Sequence, residues 1–89
     1  MVAPGRCCQA AELALKMGQV EEAIALCRHV LAYQRGYLRA HLLLAQACLE
    51  QGQAGGPSRL WEEARERFRL VTTVDPECAE AWSGLGVIA

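Results

Sequence analysis

The stretch that decides the fold is AELALKMGQ at residues 11–19, which recurs as AQACLEQGQ at residues 45–53. The next segment, VEEAIALC at residues 20–27, returns as WEEARERF at residues 61–68. The second offset is longer than the first because an insertion, residues 54–60, separates the two halves of the second copy. Self-similarity at such spacings predicts a chain of similar units that stack on their neighbours.

A third unit begins near the end of the sequence, where AWSGLG at residues 81–86 aligns with AHLLLA at residues 40–45 at the same longer offset. We therefore predict one all-α domain over residues 1–89, in which each unit is a pair of helices joined by a tight turn. The units are residues 4–37, residues 38–78 with the insertion, and a partial third unit at residues 79–89. The five expected helices span about residues 4–17, 19–34, 38–52, 59–74 and 77–89.

The pattern of apolar residues supports this division. In the second predicted helix they recur at intervals of three and four residues, at Val20, Ala23, Ile24, Cys27, Val30 and Leu31. This spacing is typical of an amphipathic helix that packs on a core. Residues 42–49 leave almost no polar face, so we expect neighbours to cover the third helix on several sides. In the fourth helix, charged pairs such as Glu63 and Arg67 are interpreted as a solvated face.

Glycine, serine and an Asp-Pro pair mark the expected helix boundaries. Gly18 and Gly52 stand where the first helix of each unit should end, because glycine accepts the left-handed backbone conformation of a helix C-terminus. Ser58 is a candidate cap of the fourth helix. Asp75 and Pro76 predict the start of the fifth helix, with the aspartate as its N-cap and the proline in its first turn.

Composition limits the classes of function. The 89 residues are 53% hydrophobic and 21% charged with a net charge of -1, which is typical of an ordinary globular domain. Nine Lys and Arg against ten Asp and Glu do not produce the concentrated positive field that nucleic acids or anionic lipids require. No signal peptide and no window of ~18 apolar residues is present. We expect neither nucleic acid nor membrane as a partner and predict a cytoplasmic protein.

The cysteines favour a reduced protein without a metal or cofactor. There are five, at Cys7, Cys8, Cys27, Cys48 and Cys78, with no CxxC pair among them. An odd set of this kind disfavours a disulfide framework and fits the reducing cytosol. Cys8 and Cys78 lie outside the main apolar stripes, so we expect them to be accessible to solvent. A metal site at Cys7 and Cys8 is disfavoured because helical neighbours point about 100° apart and no second pair follows.

His41 and Cys48 are a candidate catalytic pair because both residues lie on one face of the third predicted helix. Their separation of seven residues is about 10 Å along a helix axis, which is far beyond hydrogen-bond reach. The glycine clusters at residues 55–56 and 84–86 lack the preceding strand and the Lys-Ser or Lys-Thr of a phosphate-binding loop. We therefore predict a protein that is not an enzyme.

The repeat units resemble those of the tetratricopeptide repeat family. The pattern of that family over about 34 residues is W-x2-L-G-x2-Y, then A-x3-F, then P. The best match runs from Ala64-x3-Phe68 through Pro76 to Trp82-x2-Leu85-Gly86. The resemblance implies antiparallel helix pairs stacked into an α-α superhelix of about two and a half repeats. With the apolar stripes, it implies a structural core at Ala23, Cys27, Leu44, Cys48, Ala64, Phe68, Pro76, Trp82 and Leu85.

The resemblance also implies a concave groove that is lined by the first helix of each repeat and receives a peptide or protein. The positions carried over to this groove are Glu12, Lys16, Arg39, Leu42, Gln46, Glu50 and Ser83, and Cys8, Glu80 and Val87 face the same way. Some members clamp the C-terminal carboxylate of chaperones with Lys, Asn and Arg. The corresponding slots here hold Cys8, Glu12, Leu43, Glu80 and Gly84. That ligand is disfavoured because the cations and amides are missing and two carboxylates would repel it.

The sequence is compatible with three functions. The favoured one is a non-catalytic module that binds a peptide or protein partner in the groove. The second is a structural module that forms a homo-oligomer through its C-terminal helix, because the sequence ends on the apolar residues 87–89 without a polar cap. The third is a regulatory fragment of a larger multidomain protein.

Overall fold

A computed structural model of the protein describes the backbone of residues 4–88 and the side chains of residues 5–86. In this part of the chain it has five helices and no strand, which confirms the all-α prediction. They are α1 (Pro4–Lys16), α2 (Val20–Tyr33), α3 (Leu38–Gln53), α4 (Ser58–Val74) and α5 (Ala79–Ile88). Residues 1–3 of the predicted domain and the expected helix end at residue 89 lie outside the described residues. No helix described here combines the length and the apolar character needed to cross a membrane.

The helices form two layers with α3 at the centre. Each helix packs against the next one along the chain, and α3 also packs against α1 and α5. The helices α1, α3 and α5 therefore lie side by side in one layer, while α2 and α4 lie in the other. Connections of three or four residues join successive helices, as in αα-hairpins.

The core is centred on α3, as the sequence predicted. Residues 40–45, 47 and 48 of this helix are all buried. Phe68 of α4 and Cys27 of α2 are the largest fully buried side chains outside α3. Ala23 and Ala64 are completely buried, and Leu85 is half-buried against the same cluster. A helix with apolar residues on every side is thus placed where four other helices can cover it.

Two residues expected in the core lie at the surface instead. Trp82 is 53% exposed, and Pro76 is exposed as well. The indole Nε1 of Trp82 donates a hydrogen bond to the Pro76 carbonyl at 2.7 Å, which ties the ring to the turn before α5. The expectation was wrong because burial of this position requires a helix over the ring, and no described helix lies there.

Cys8 also differs from its prediction, because only 3% of it is exposed. A position outside the apolar stripe of a helix is exposed only where one face of that helix is covered, whereas α1 packs against both α2 and α3. Cys8 belongs to the buried core cluster, and burial raises the pKa of its thiol. Cys78, in the turn before α5, is half-buried.

The turn between α3 and α4 shows a different role for Gly52. Gly18 has a φ of 79° after α1, as expected, but after α3 the positive φ of 99° belongs to Gly55. Gly52 is buried inside α3, and a Cβ there would lie 2.7 Å from Nε1 of Trp61. The prediction that Gly52 ends the helix was wrong, since this glycine instead allows α4 to approach α3 closely at the tryptophan ring.

The starts of α4 and α5 are also corrected. Ser58 is the first helical residue of α4 and follows Pro57, with no side-chain capping hydrogen bond. The helix α5 begins at Ala79, two residues later than predicted, because Asp75 forms a turn of its own. Its Oδ1 accepts a hydrogen bond from the Glu77 backbone N–H at 3.2 Å. Aspartate side chains that bond the backbone two residues ahead stabilise such turns in competition with helix.

Candidate binding groove

The layer of α1, α3 and α5 carries an open groove of about 490 Å³. Eight residues line it: Glu12, Leu15, Lys16, Gln46, Leu49, Glu50, Gln53 and Glu80. Its volume falls in the range of about 300–1,000 Å³ that is usual for sites that hold small ligands.

The internal repeat builds this groove. In the alignment of residues 11–19 with residues 45–53, Glu12, Leu15 and Lys16 of α1 correspond to Gln46, Leu49 and Glu50 of α3. Spacings of three and four residues place each set on one face of its helix. Because α1 and α3 pack side by side, the two equivalent faces join into one floor.

Four of the seven predicted groove residues line this surface: Glu12, Lys16, Gln46 and Glu50. Arg39 and Ser83 are exposed but do not belong to the lining. Leu42 is only 4% exposed, so its assignment to the groove was wrong, because α3 is covered on that side too.

The three further positions that the family pattern assigned to the groove have separate outcomes. Glu80 lines the groove from the start of α5. Cys8 does not, since it is buried between helices. The side chain of Val87 lies outside the described residues.

Sequence reasoning missed Leu15, Leu49 and Gln53. Leu15 and Leu49 are half-buried and pack partly on the core, so the apolar pattern alone marks them as core residues. The signal that could have found them is the repeat itself, because residue 15 aligns with residue 49 in the two matching stretches and both are leucine.

An ion pair at the edge of the groove connects α1 with α3. Arg39 Nη2 donates to Glu12 Oε2 at 3.1 Å, with both side chains about two-fifths exposed. The hydrogen bond with Glu12 is the main reason that the pKa of Arg39 is raised. The guanidinium thus partly neutralises one carboxylate of the groove.

The charge of the groove lining is acidic. It contains the carboxylates of Glu12, Glu50 and Glu80 and the single ammonium of Lys16. Arg39 is paired with Glu12, whereas Glu50 and Glu80 form no ion pair with a described basic side chain, so their carboxylates contribute most of the negative potential of the lining. Such a surface favours cationic groups.

A second polar cluster lies away from the groove, where α2, α3 and α4 meet. Glu63 Oε1 lies 3.5 Å from Arg67 Nη2 and 3.8 Å from Arg28 Nη2. Glu63 Oε2 accepts a weak hydrogen bond from the Cys48 thiol at 3.5 Å. Only 29% of the Glu63 side chain and 27% of the Arg67 side chain are exposed. The interpretation of this pair as a solvated face was therefore wrong, because the residues join three helices.

The hydrogen bonds of His41 in this cluster define its tautomer. Arg67 Nη1 lies 2.8 Å from His41 Nδ1, and an arginine can only donate, so Nδ1 is the acceptor. The proton is then on Nε2, which donates to the Arg35 carbonyl at 2.6 Å. Both ring nitrogens are occupied by structural partners.

These contacts do not bring His41 and Cys48 together as a catalytic pair. The thiol of Cys48 turns to Glu63 and not to the imidazole. Burial, together with the Glu63 carboxylate, raises the pKa of Cys48 to about 12, so the thiol stays protonated at neutral pH. A protonated, fully buried thiol is a poor nucleophile.

Comparisons with known proteins agree with the repeat architecture. Two family models, both described as tetratricopeptide repeat, match residues 14–56 and residues 58–89. The comparison with curated proteins gave no match. The two family matches meet at Pro57, in the insertion that the sequence repeat had located, and together they cover most of the chain. The chain belongs to the tetratricopeptide repeat family.

Proposed function

We propose that this protein is an interaction module that binds a basic peptide segment of a partner protein in the groove between α1, α3 and α5. Repeats of this family generally mediate protein–protein interactions and are not catalytic. The observation that carries the proposal is the joining of two repeat-equivalent faces into one acidic floor.

The charges of the groove indicate the chemistry of the partner. Glu50 and Glu80 present carboxylates that no described basic side chain pairs with. A lysine or arginine of the partner would supply the missing positive charge. Lys16, on the same floor, would repel the partner's cationic residue and so restricts where that residue lies. It would pair with an acidic or polar neighbour in the peptide.

The apolar part of the floor supports the same partner. Leu15 and Leu49 are half-buried and lie among the charged residues of the lining. The methylene stems of lysine and arginine cover such patches while their charged ends reach nearby carboxylates. A basic segment therefore matches both components of the groove.

The test is selection of peptides from a display library on the folded chain, followed by affinity measurements on the selected sequences. We expect enrichment of lysine and arginine and an affinity that falls with added salt. Glu50→Lys should weaken binding by about 2- to 30-fold, because an attractive exposed pair worth about 0.2–1 kcal/mol becomes a repulsive one.

The matched control is Glu66→Lys, which makes the same charge change at an exposed position of α4 outside the groove. It should leave the affinity within about twofold. Selection of acidic or uncharged peptides, or equal losses in the two variants, would contradict the proposal.

A further inference from the structure

The ion pair at the edge of the groove occupies a position that the repeat supplies twice. At the longer repeat offset, Arg39 in the first turn of α3 corresponds to Glu80 in the first turn of α5. At the shorter offset, Glu12 of α1 corresponds to Gln46 of α3. The pair of Arg39 and Glu12, between α1 and α3, therefore has the pair of Glu80 and Gln46 as its equivalent between α3 and α5.

The two equivalent positions differ in charge. Between α1 and α3, Nη2 of Arg39 donates to Oε2 of Glu12 at 3.1 Å, so the chain itself supplies a cation to this carboxylate. Between α3 and α5, the carboxylate of Glu80 and the amide of Gln46 both line the groove. Glu80 forms no ion pair with a described basic side chain, so this position lacks the cation that is present at the first one.

Arg39 controls access to the first of these positions. The hydrogen bond with Glu12 is the largest cause that raises the pKa of Arg39, and attraction to the carboxylates of Glu12 and Glu80 adds to it. Both side chains of the ion pair are about two-fifths exposed, so a ligand in the groove meets the pair directly. A partner's cation has to displace Arg39 to reach Glu12, whereas no described basic side chain is paired with Glu80.

We propose that Arg39 is a specificity-determining residue of the groove: it occupies the carboxylate of Glu12 and so directs the basic residue of the partner to Glu80 and Gln46, between α3 and α5. This inference rests on the proposed function, which supplies the basic partner. A guanidinium suits the position, because its five N–H donors lie in a fixed fork and one arginine can donate to the Glu80 carboxylate and to the amide oxygen of Gln46.

The probe is a fluorescein-labelled octa-arginine peptide, and its fluorescence anisotropy is titrated with the full chain. Arg39→Met keeps an unbranched side chain but releases Glu12, so a second carboxylate becomes accessible to the probe. We expect binding to tighten by about 1.5- to 5-fold, the factor that one exposed ion pair contributes. Adding Glu12→Gln to this variant should remove most of the gain, because the released carboxylate is then absent.

Two control variants separate this contact from the overall charge of the chain. Arg59→Met makes the same charge change at an exposed position of α4, in the other layer, and should change the affinity less than Arg39→Met does. Arg39→Lys keeps a cation that can pair with Glu12 and should bind the probe as the unaltered chain does. Equal tightening in the two methionine variants, or tightening that persists with Glu12→Gln, overturns the proposal.

A change at Glu80 tests the second position. Glu80→Gln should weaken binding of the probe to the unaltered chain by about 1.5- to 5-fold, and an unchanged affinity overturns the proposal. Circular dichroism of each variant checks that the chain is folded, and Arg39, Arg59 and Glu80 are all exposed, so none of these changes leaves a cavity in the core.

The same titrations separate this inference from the proposed function. If octa-arginine binds the unaltered chain and Arg39→Met equally well, the inference fails while the proposed function stands. If it binds Arg39→Met alone, the unaltered groove takes no basic segment, so the proposed function fails while the shielding of Glu12 by Arg39 holds. Absence of saturable binding by both chains overturns both.

Discussion

At the scale of single residues, the closest packing constraint is at Gly84 of α5. A Cβ at this position would overlap Cζ of Phe68, and two further ring atoms of Phe68 would lie 2.6 Å away. Phe68 is completely buried, so the ring cannot move aside into solvent. We expect Gly84→Ala to lower the free energy of unfolding by about 1–3 kcal/mol, as measured by urea denaturation.

The control for this prediction is Gly86→Ala in the same helix. A Cβ at Gly86 meets no atom within 4 Å, so only the higher helix propensity of alanine acts there. The variant should be neutral or up to about 1 kcal/mol more stable. A Gly84→Ala variant as stable as Gly86→Ala would show that Phe68 does not pack on α5 as described.

At the scale of helices and turns, the connection between α1 and α2 depends on Gly18. Its φ of 79° lies in the left-handed region, which costs a residue with a Cβ about 1–2 kcal/mol. We expect Gly18→Ala to lower the free energy of unfolding by about 1 kcal/mol, although the space around it is open. Gly36, in the turn between α2 and α3, has open space and no positive φ, so Gly36→Ala should change the stability by less than about 0.5 kcal/mol. Equal effects of the two changes would exclude the backbone explanation.

At the scale of the whole molecule, the buried thiols make stability depend on pH in alkaline solution. Burial raises the pKa of Cys27 to about 12, and burial with the nearby Glu63 carboxylate does the same for Cys48. In the unfolded chain a thiol loses its proton near its ordinary pKa of about 8.5. Above that pH the unfolded state binds fewer protons than the folded state, so the free energy of unfolding falls as the pH rises.

The measurement is urea denaturation under reducing conditions between about pH 7 and pH 10.5, a range chosen to cross the ordinary thiol pKa. Each of the two thiols should contribute a slope of up to about 1.4 kcal/mol per pH unit. The double variant Cys27→Ala with Cys48→Ala is less stable because of its cavities, but its alkaline slope should be smaller. An unchanged slope in the double variant would contradict the assignment to the core thiols.

The amino-acid sequence by itself determined the number and type of the elements and the identity of the central helix. Repeat offsets and apolar spacings are local properties of the chain, and they are sufficient to locate α1 to α5 to within about two residues at most boundaries. They also showed that α3 is covered on several sides, because residues 42–49 offer almost no polar face. The repeat alignment also pairs Leu15 with Leu49, but their apolar character assigned both residues to the core and not to the groove.

The tertiary structure alone decided which face of each helix another helix covers. Cys8 is buried because α1 contacts two helices, and Trp82 is exposed because no described helix lies over it. Gly52 serves the contact with Trp61 and not the end of α3, and Glu63 and Arg67 join three helices where a solvated face was expected. The periodicity of a helix defines its apolar stripe but not the number or position of its neighbours. Whether residues at the edges of a stripe are buried depends on how the helices are assembled. The sequence of a single repeat therefore does not determine their burial.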